Sequence, residues 1–356
     1  MFYLSFYFTE PMEQIEKRFQ QANYFGCREM FTSLHIPEDD LAIYRKRLQE
    51  IGQLAKQYEV GIVADVTPAS LAKIGKDGGH LDGLVSSGIS GLRLDDGFSV
   101  EEAAQLSHQI KVVFNASTMT EEECDKLIAC NANWNHLEAW HNFYPRPETG
   151  LAKETVIRKN KMLRRKGIRT IAAFIPGNKE KRGPLYQGLP TLEAHRNIEP
   201  LCAYAELVRD CGVNKVFVGD GSMTEEALAR MKEFCDGVIP LRYRPLIRQH
   251  ELLSMIETVH TNRRDAARDV IRSRESRLSF LWPKHLMEPA CTIERQKGSV
   301  TMDNIRYGRY AGELQITLTD LPADDKVNVI GRIIEEDLPL LAYVGGGQRF
   351  RLVQVI

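Results

Sequence analysis

The chain lacks an excess of charge of either sign: 47 Lys and Arg stand against 48 Asp and Glu, a formal net charge of −1. A balance this close removes the general electrostatic basis for binding nucleic acid or an anionic membrane surface. Paired cysteines are missing as well. Cys27, Cys124, Cys130, Cys202, Cys211, Cys235 and Cys291 form no CxxC, their number is odd, and no Cys/His spacing suits zinc. Free thiols in a reducing cytoplasm are expected, with no metal and no other cofactor. The apolar opening MFYLSFYFTEP is too short to span a bilayer and has neither a basic n-region nor a small-residue cleavage site. It is expected to be a first strand, in a protein that is not exported. No tandem repeat or low-complexity tract is present, and Thr9-Glu10-Pro11 stands where a dinucleotide-binding fold would carry a glycine-rich turn.

What the sequence does have is one pattern repeated from the start to about Pro240. An apolar run of about five residues ends in a polar residue, Gly or Pro, and an amphipathic segment follows. The runs are 4–8, 29–34, 61–66, 91–95, 111–116, 135–140, 170–175 and 215–219. Ser99 before VEEA and Thr120 before EEEC are placed as helix N-caps, and only the connection 68–88, broken by GKDGGH, is weak as a helix. Near-continuous apolar strands alternating with helices imply a parallel sheet covered on its outer face, and eight units in about 240 residues predict an α/β fold of (β/α)8 barrel type. Beyond Pro240 the pattern changes. The basic stretches 248–259 and 263–277 read as helical or irregular, and β-like pieces follow at 290–296, 298–302, 312–319, 326–334, 340–344 and 350–356. The expected division is a barrel domain over 1–240 and a smaller, mostly-β barrel or sandwich over 241–356.

A barrel carries its chemistry on the loops that follow its strands. By this reading Ser33 and His35 follow the second strand, Asp65 the third, Asp95 the fourth and Asn115 the fifth. The sixth is followed by a stiff polar run in WNHLEAWHNFYPRPETG that offers Glu138, His141, Asn142, Tyr144 and Arg146, with Pro145 and Pro147 fixing its far half. The long segment after the seventh carries Arg182, Tyr186 and Arg196, and Asp220 follows the eighth. Four carboxylates around one mouth, Asp65, Asp95, Glu138 and Asp220, suit acid/base work on a glycosidic bond. Together with His they suit a divalent metal in a sugar-phosphate lyase or hydrolase equally well. The arginines offer forks for phosphate or carboxylate. The interleaved acids and missing aromatics of 263–277 argue against nucleic acid there, and a non-catalytic carbohydrate-binding protein is the remaining alternative.

Several long segments carry a closer likeness. FTSLHIPEDD (31–40), LRLDDGF (92–98), NASTMTEEE (115–123), HNFYPRPETGL (141–151) and RGPLYQGLPTLEAHR (182–196) resemble the bacterial 6-phospho-N-acetylmuramidase family. So do GSVTMDNIRYGRYAGELQI (298–316) and GRIIEEDLPLL (331–341), so the resemblance spans nearly the whole chain. It implies a TIM barrel followed by a cyclophilin-like β domain. It also implies a cytoplasmic glycosidase of peptidoglycan recycling that splits the disaccharide N-acetylmuramic acid 6-phosphate–N-acetylglucosamine. The resemblance assigns no catalytic residues; the strand-end positions themselves lead us to expect Asp65 and Glu138 as the acid/base pair, with Asp95 or Asp220 tuning a pKa or gripping sugar hydroxyls. Asn115, His141, Asn142 and Tyr144 are expected on the sugar, and the arginines of the sixth and seventh loops on its anionic groups.

Overall fold

A computed structural model describes residues 1–34, 41–74, 82–278 and 282–355. His35 therefore lies outside the described residues. By its contacts the chain forms two compact units, Met1–Leu228 and Ala229–Ile356.

The first unit is a closed barrel of eight parallel strands in sequential order. They are β1 (Phe2–Ser5), β2 (Glu29–Ser33), β3 (Gly61–Val66), β4 (Ile89–Leu94), β5 (Lys111–Asn115), β6 (Leu137–Trp140), β7 (Thr170–Ile175) and β8 (Lys215–Val218). Closure is made by β1 pairing with β8, Tyr3 opposite Phe217. Alternate residues of each strand point inward and fill the interior as a packed core. Tyr7, Phe31, Val63, Val113, Trp140, Phe174 and Phe217 form that filling, with Trp140 and Phe217 ring centroids 4.4 Å apart. Ser99 and Thr120 both cap their helices through reciprocal capping boxes with Glu102 and Glu123. Among the described residues the third connection carries two short helices, Pro68–Ile74 and Asp82–Ser86.

The second unit is a seven-stranded, nearly closed, mostly antiparallel β barrel. Its strands are β9 (Val238–Pro245), β10 (Val259–Thr261), β11 (Val270–Arg272), β12 (Ser299–Asp303), β13 (Leu314–Thr317), β14 (Val327–Ile333) and β15 (Arg349–Gln354), in the order β10-β15-β9-β14-β12-β13-β11. β9 contains Pro240, the expected domain boundary, where no strand is expected. Pro240 is tolerated because β14 bonds β9 only over Tyr243–Pro245, leaving the earlier part of β9 paired on one side, to β15. Of the two basic stretches expected to be helical or irregular, 248–259 does carry a helix, His250–Ile256, whereas 263–277 supplies β11. β10 falls at their junction, and residues 340–344, expected as a strand, close a 3-10 segment, Glu335–Tyr343. Among the described residues no helix is long and apolar enough to cross a membrane.

Candidate active site

The barrel has a polar cluster at each end. At the end where strands begin, Glu29, Lys111 and Lys215 each open a strand and project inward. Glu138 joins them. Its carboxylate takes the Lys215 ammonium at 2.8 and 2.9 Å and lies 3.4 Å from that of Lys111, while Lys215 also reaches Glu29 at 2.8 Å and Lys111 pairs with Glu29. The two lysines hold Glu29 below its ordinary pKa against the cost of its burial, and Lys215 is raised by the two carboxylates against the same cost. The apolar run 135–140 does hold the sixth strand, but the expected place of Glu138 at the mouth is thus corrected. It is the second residue of β6, and Trp140, the next inward residue, seals it off from the mouth while its indole N–H donates to Glu138 at 2.8 Å.

At the other end, Asp65 closes the inward face of β3 beside Ser33 of β2 and Arg93 of β4. Arg93 is buried, and its Nη1 donates to Asp65 at 2.7 Å while Nη2 donates to the Asn142 side-chain oxygen. Its Nε is buried without a partner among the described residues. Asp95 lies two residues beyond Arg93 on the same alternation, half-buried, and its carboxylate has no partner among the described residues. Asn115 ends β5 and turns its side-chain oxygen to the Ser117 N–H, 3.0 Å away.

Behind this mouth His141 is fully buried. Asn160, whose amide donates to the Cys211 carbonyl, presents its oxygen to Nε2 at 2.8 Å, so Nε2 carries the proton. Nδ1 then accepts from the Ser117 hydroxyl at 3.2 Å, and Ser117 accepts the Asn142 N–H at 3.1 Å. Burial lowers the His141 pKa to about 4, so the ring is neutral, and its two nitrogens are taken by Asn160 and Ser117.

The sixth and seventh loops form a belt around the mouth, and two expected site residues are committed to holding it. Asp220 is fully buried and accepts backbone N–H groups of Gly177, Arg182 and Leu189 at 3.0, 2.8 and 3.2 Å. The approach is close enough that a Cβ on Gly177 would lie 2.2 Å from the Ser222 carbonyl oxygen. Arg196 bonds both oxygens of Glu193 at 2.6 Å, and its remaining N–H groups reach the carbonyls of Gln187, Gly188, Tyr144 and Arg146. Glu193 in turn accepts from the backbone of Glu148 and Gly150, and these partners, Arg196 foremost, hold its pKa at about 2. Arg182, like the exposed Arg146, is left without an acidic partner among the described residues. Its guanidinium lies 3.5 Å from the centroid of the Tyr7 ring. Tyr7 is buried, its hydroxyl donates to the Gly219 carbonyl at 2.6 Å, and burial raises its pKa. Tyr144 is half-buried; Arg146 and Tyr186 are exposed.

The fold thus brings Ser33, Asp65, Asp95, Asn115 and Asn142 to one mouth, with Arg182 on its belt, and places Glu138 elsewhere. Sequence reasoning missed Arg93, Tyr7 and Glu193. Arg93 had a signal, a lone charge in step with the inward positions of an apolar strand, and so had Tyr7, in step with Tyr3; Glu193 had none. Among the described residues no group of three His, Cys, Asp or Glu is arranged to hold a metal ion.

Comparisons with known proteins carry the assignment further. No functionally curated protein matches the chain. It is similar to a conserved protein of unknown function from Enterococcus faecalis, with 38% identity, TM-score 0.88 and coverage of 99% of this chain and 96% of the other. An uncharacterised Bacillus cereus protein is similar at 27% identity and TM-score 0.79, over 99% of both chains. The N-terminal 6-phospho-N-acetylmuramidase domain matches residues 4–233, the barrel, and the C-terminal domain of the same enzymes matches 239–353, the β unit. Matched in sequence across both of its structural units, the chain belongs to the 6-phospho-N-acetylmuramidase family, a family of glycoside hydrolases.

Proposed function

We propose that the protein hydrolyses the glycosidic bond of N-acetylmuramic acid 6-phosphate–N-acetylglucosamine in the cytoplasm, as a step of peptidoglycan recycling. The observation that carries the chemistry is the unequal state of two carboxylates on neighbouring strands. Asp65 is buried and bound by Arg93; Asp95, just past the end of β4, is half-buried and unpartnered among the described residues. Asp95 then serves as the acid that protonates the departing glycosidic oxygen, and afterwards as the base that accepts a proton from water. Asp65, fixed by Arg93, which Asn142 holds in turn, orients the acetamido group. Its carbonyl oxygen attacks the anomeric carbon as the bond to the leaving sugar breaks, and water reopens the resulting ring.

Arg182 would meet the phosphate, because its guanidinium has no acidic partner among the described residues and the Tyr7 ring fixes its plane. The reading is tested by incubating the protein with the phosphorylated and unphosphorylated disaccharides. Release of both sugars from the first, and competition by a thiazoline analogue of the acetamido ring, is the expected result. Equal turnover of the unphosphorylated disaccharide would remove the role of Arg182, and no release from either would remove the activity.

A further inference from the structure

The second unit has a cavity that the hydrolase reading does not use. About 430 Å³ in volume, it is lined by Arg263, Arg264, Asp265, Ser273, Arg274 and Arg277. Four guanidiniums and one carboxylate around a single cavity is a local concentration, since the chain as a whole is balanced at −1. The acids nearby are largely occupied. Asp265 is taken by Arg263 through two bonds of 3.0 and 2.9 Å. Glu313 lies under the cluster, binds Arg272 at 2.6 Å and stands 3.4 Å from Arg277. One oxygen of Glu275 accepts the Thr261 N–H at 2.7 Å, and the other is 3.5 Å from Arg274. Arg264 has no acidic partner among the described residues.

The backbone beneath these arginines is held in place. Arg263 N–H donates to the Arg272 carbonyl and Arg274 N–H to that of Thr261, each at 3.0 Å. Asn262 joins the turn from both sides, donating to the Val344 carbonyl and accepting from the Arg272 N–H. Gly346 presses against the Arg264 carbonyl so closely that a Cβ would lie 2.5 Å from it. Ser273 is fixed by the buried His260, whose Nε2 donates to the Ile256 carbonyl and whose Nδ1 accepts the Ser273 hydroxyl.

We propose that this arginine-lined cavity binds a phosphorylated small molecule of phosphosugar size, with Arg264 and Arg274 gripping its phosphate. Guanidinium forks match the paired oxygens of a phosphate monoester, and like charges held together on a fixed backbone are relieved by a dianion. The volume falls in the range of small-molecule sites and exceeds what inorganic phosphate fills. Nucleic acid is disfavoured because no aromatic ring lines the cavity for base stacking. The proposal rests on residues of the second unit alone, so it and the hydrolase reading fail independently.

The test uses the full chain carrying Arg182→Ala, to weaken binding at the barrel mouth, with glucose 6-phosphate as probe and glucose as control. Hydrogen exchange is expected to slow across 262–277 with glucose 6-phosphate and not with glucose. Titration calorimetry is expected to show affinity falling at least tenfold in Arg264→Ala/Arg274→Ala and falling with added salt. Unchanged exchange across 262–277 at millimolar probe would overturn the proposal. So would equal affinity in the double variant, or tighter, length-dependent binding of an oligonucleotide. Should the double variant fail to fold, the exchange result with the two probes still decides.

Discussion

The two ends of the barrel are made of the same materials and differ in how completely those materials satisfy one another. At the end where the strands begin, two carboxylates and two ammoniums, Glu29, Glu138, Lys111 and Lys215, neutralise one another under a lid of aromatic rings. At the mouth, Asp65 and Arg93 are paired, but Asp95 and the stacked Arg182 are left without charged partners among the described residues. A charge cluster that closes on itself is a device of stability; one that leaves a charge over is a place for a ligand. Residue type alone does not distinguish them.

The largest effect expected from this contrast is on turnover. Asp95→Asn should lower kcat on the phosphorylated disaccharide by about 10²–10⁴-fold with stability unchanged, the range for a lost general acid. Glu138→Ala should do the reverse, costing about 3 kcal/mol in urea unfolding by stranding buried lysine charge while kcat stays within a few-fold. If Glu138→Ala abolished turnover in a folded protein and Asp95→Asn did not, the assignment of the two ends would be inverted.

A pH series probes the wall behind the mouth. His141 is neutral when folded, with its pKa depressed to about 4 from an ordinary 6.5. Its contribution is fully present above pH 6.5 and is lost as pH falls towards 4, because the unfolded chain then takes up the proton first. That amounts to roughly 2 kcal/mol between pH 7 and pH 4.5, read as the change in the difference in unfolding free energy between the native protein and His141→Gln. The smallest effect is expected at the belt. Arg182→Ala should raise KM for the phosphorylated disaccharide by about tenfold with little change in kcat, the loss of one charge-assisted contact shared by ground and transition states.

Much of the fold is legible in the sequence because its signals are local. The eight apolar runs, and caps such as Ser99 with Glu102, each rest on residues a few places apart. The misreadings have equally definite causes. Pro240 and Pro245 hide β9 because a proline is tolerated where a strand is paired on one side only, which no local pattern announces. Glu138 looked like a loop acid because polar residues crowd the far side of Trp140, and its partners Lys111 and Lys215 are 27 and 77 residues away. Arg196 looked like a free cation until the folded loops surrounded it with carbonyls.

The sequence by itself determined that the chain alternates strand and helix eight times, that a β-rich segment follows, and that acids and arginines gather near strand ends. Only the tertiary structure decided which charges cancel. In a closed barrel the stagger between strands sets which inward side chains share a level. That geometry gave Glu138 to two lysines, Asp220 to three backbone amides and Arg196 to four carbonyls, and left Asp95 and Arg182 without charged partners among the described residues.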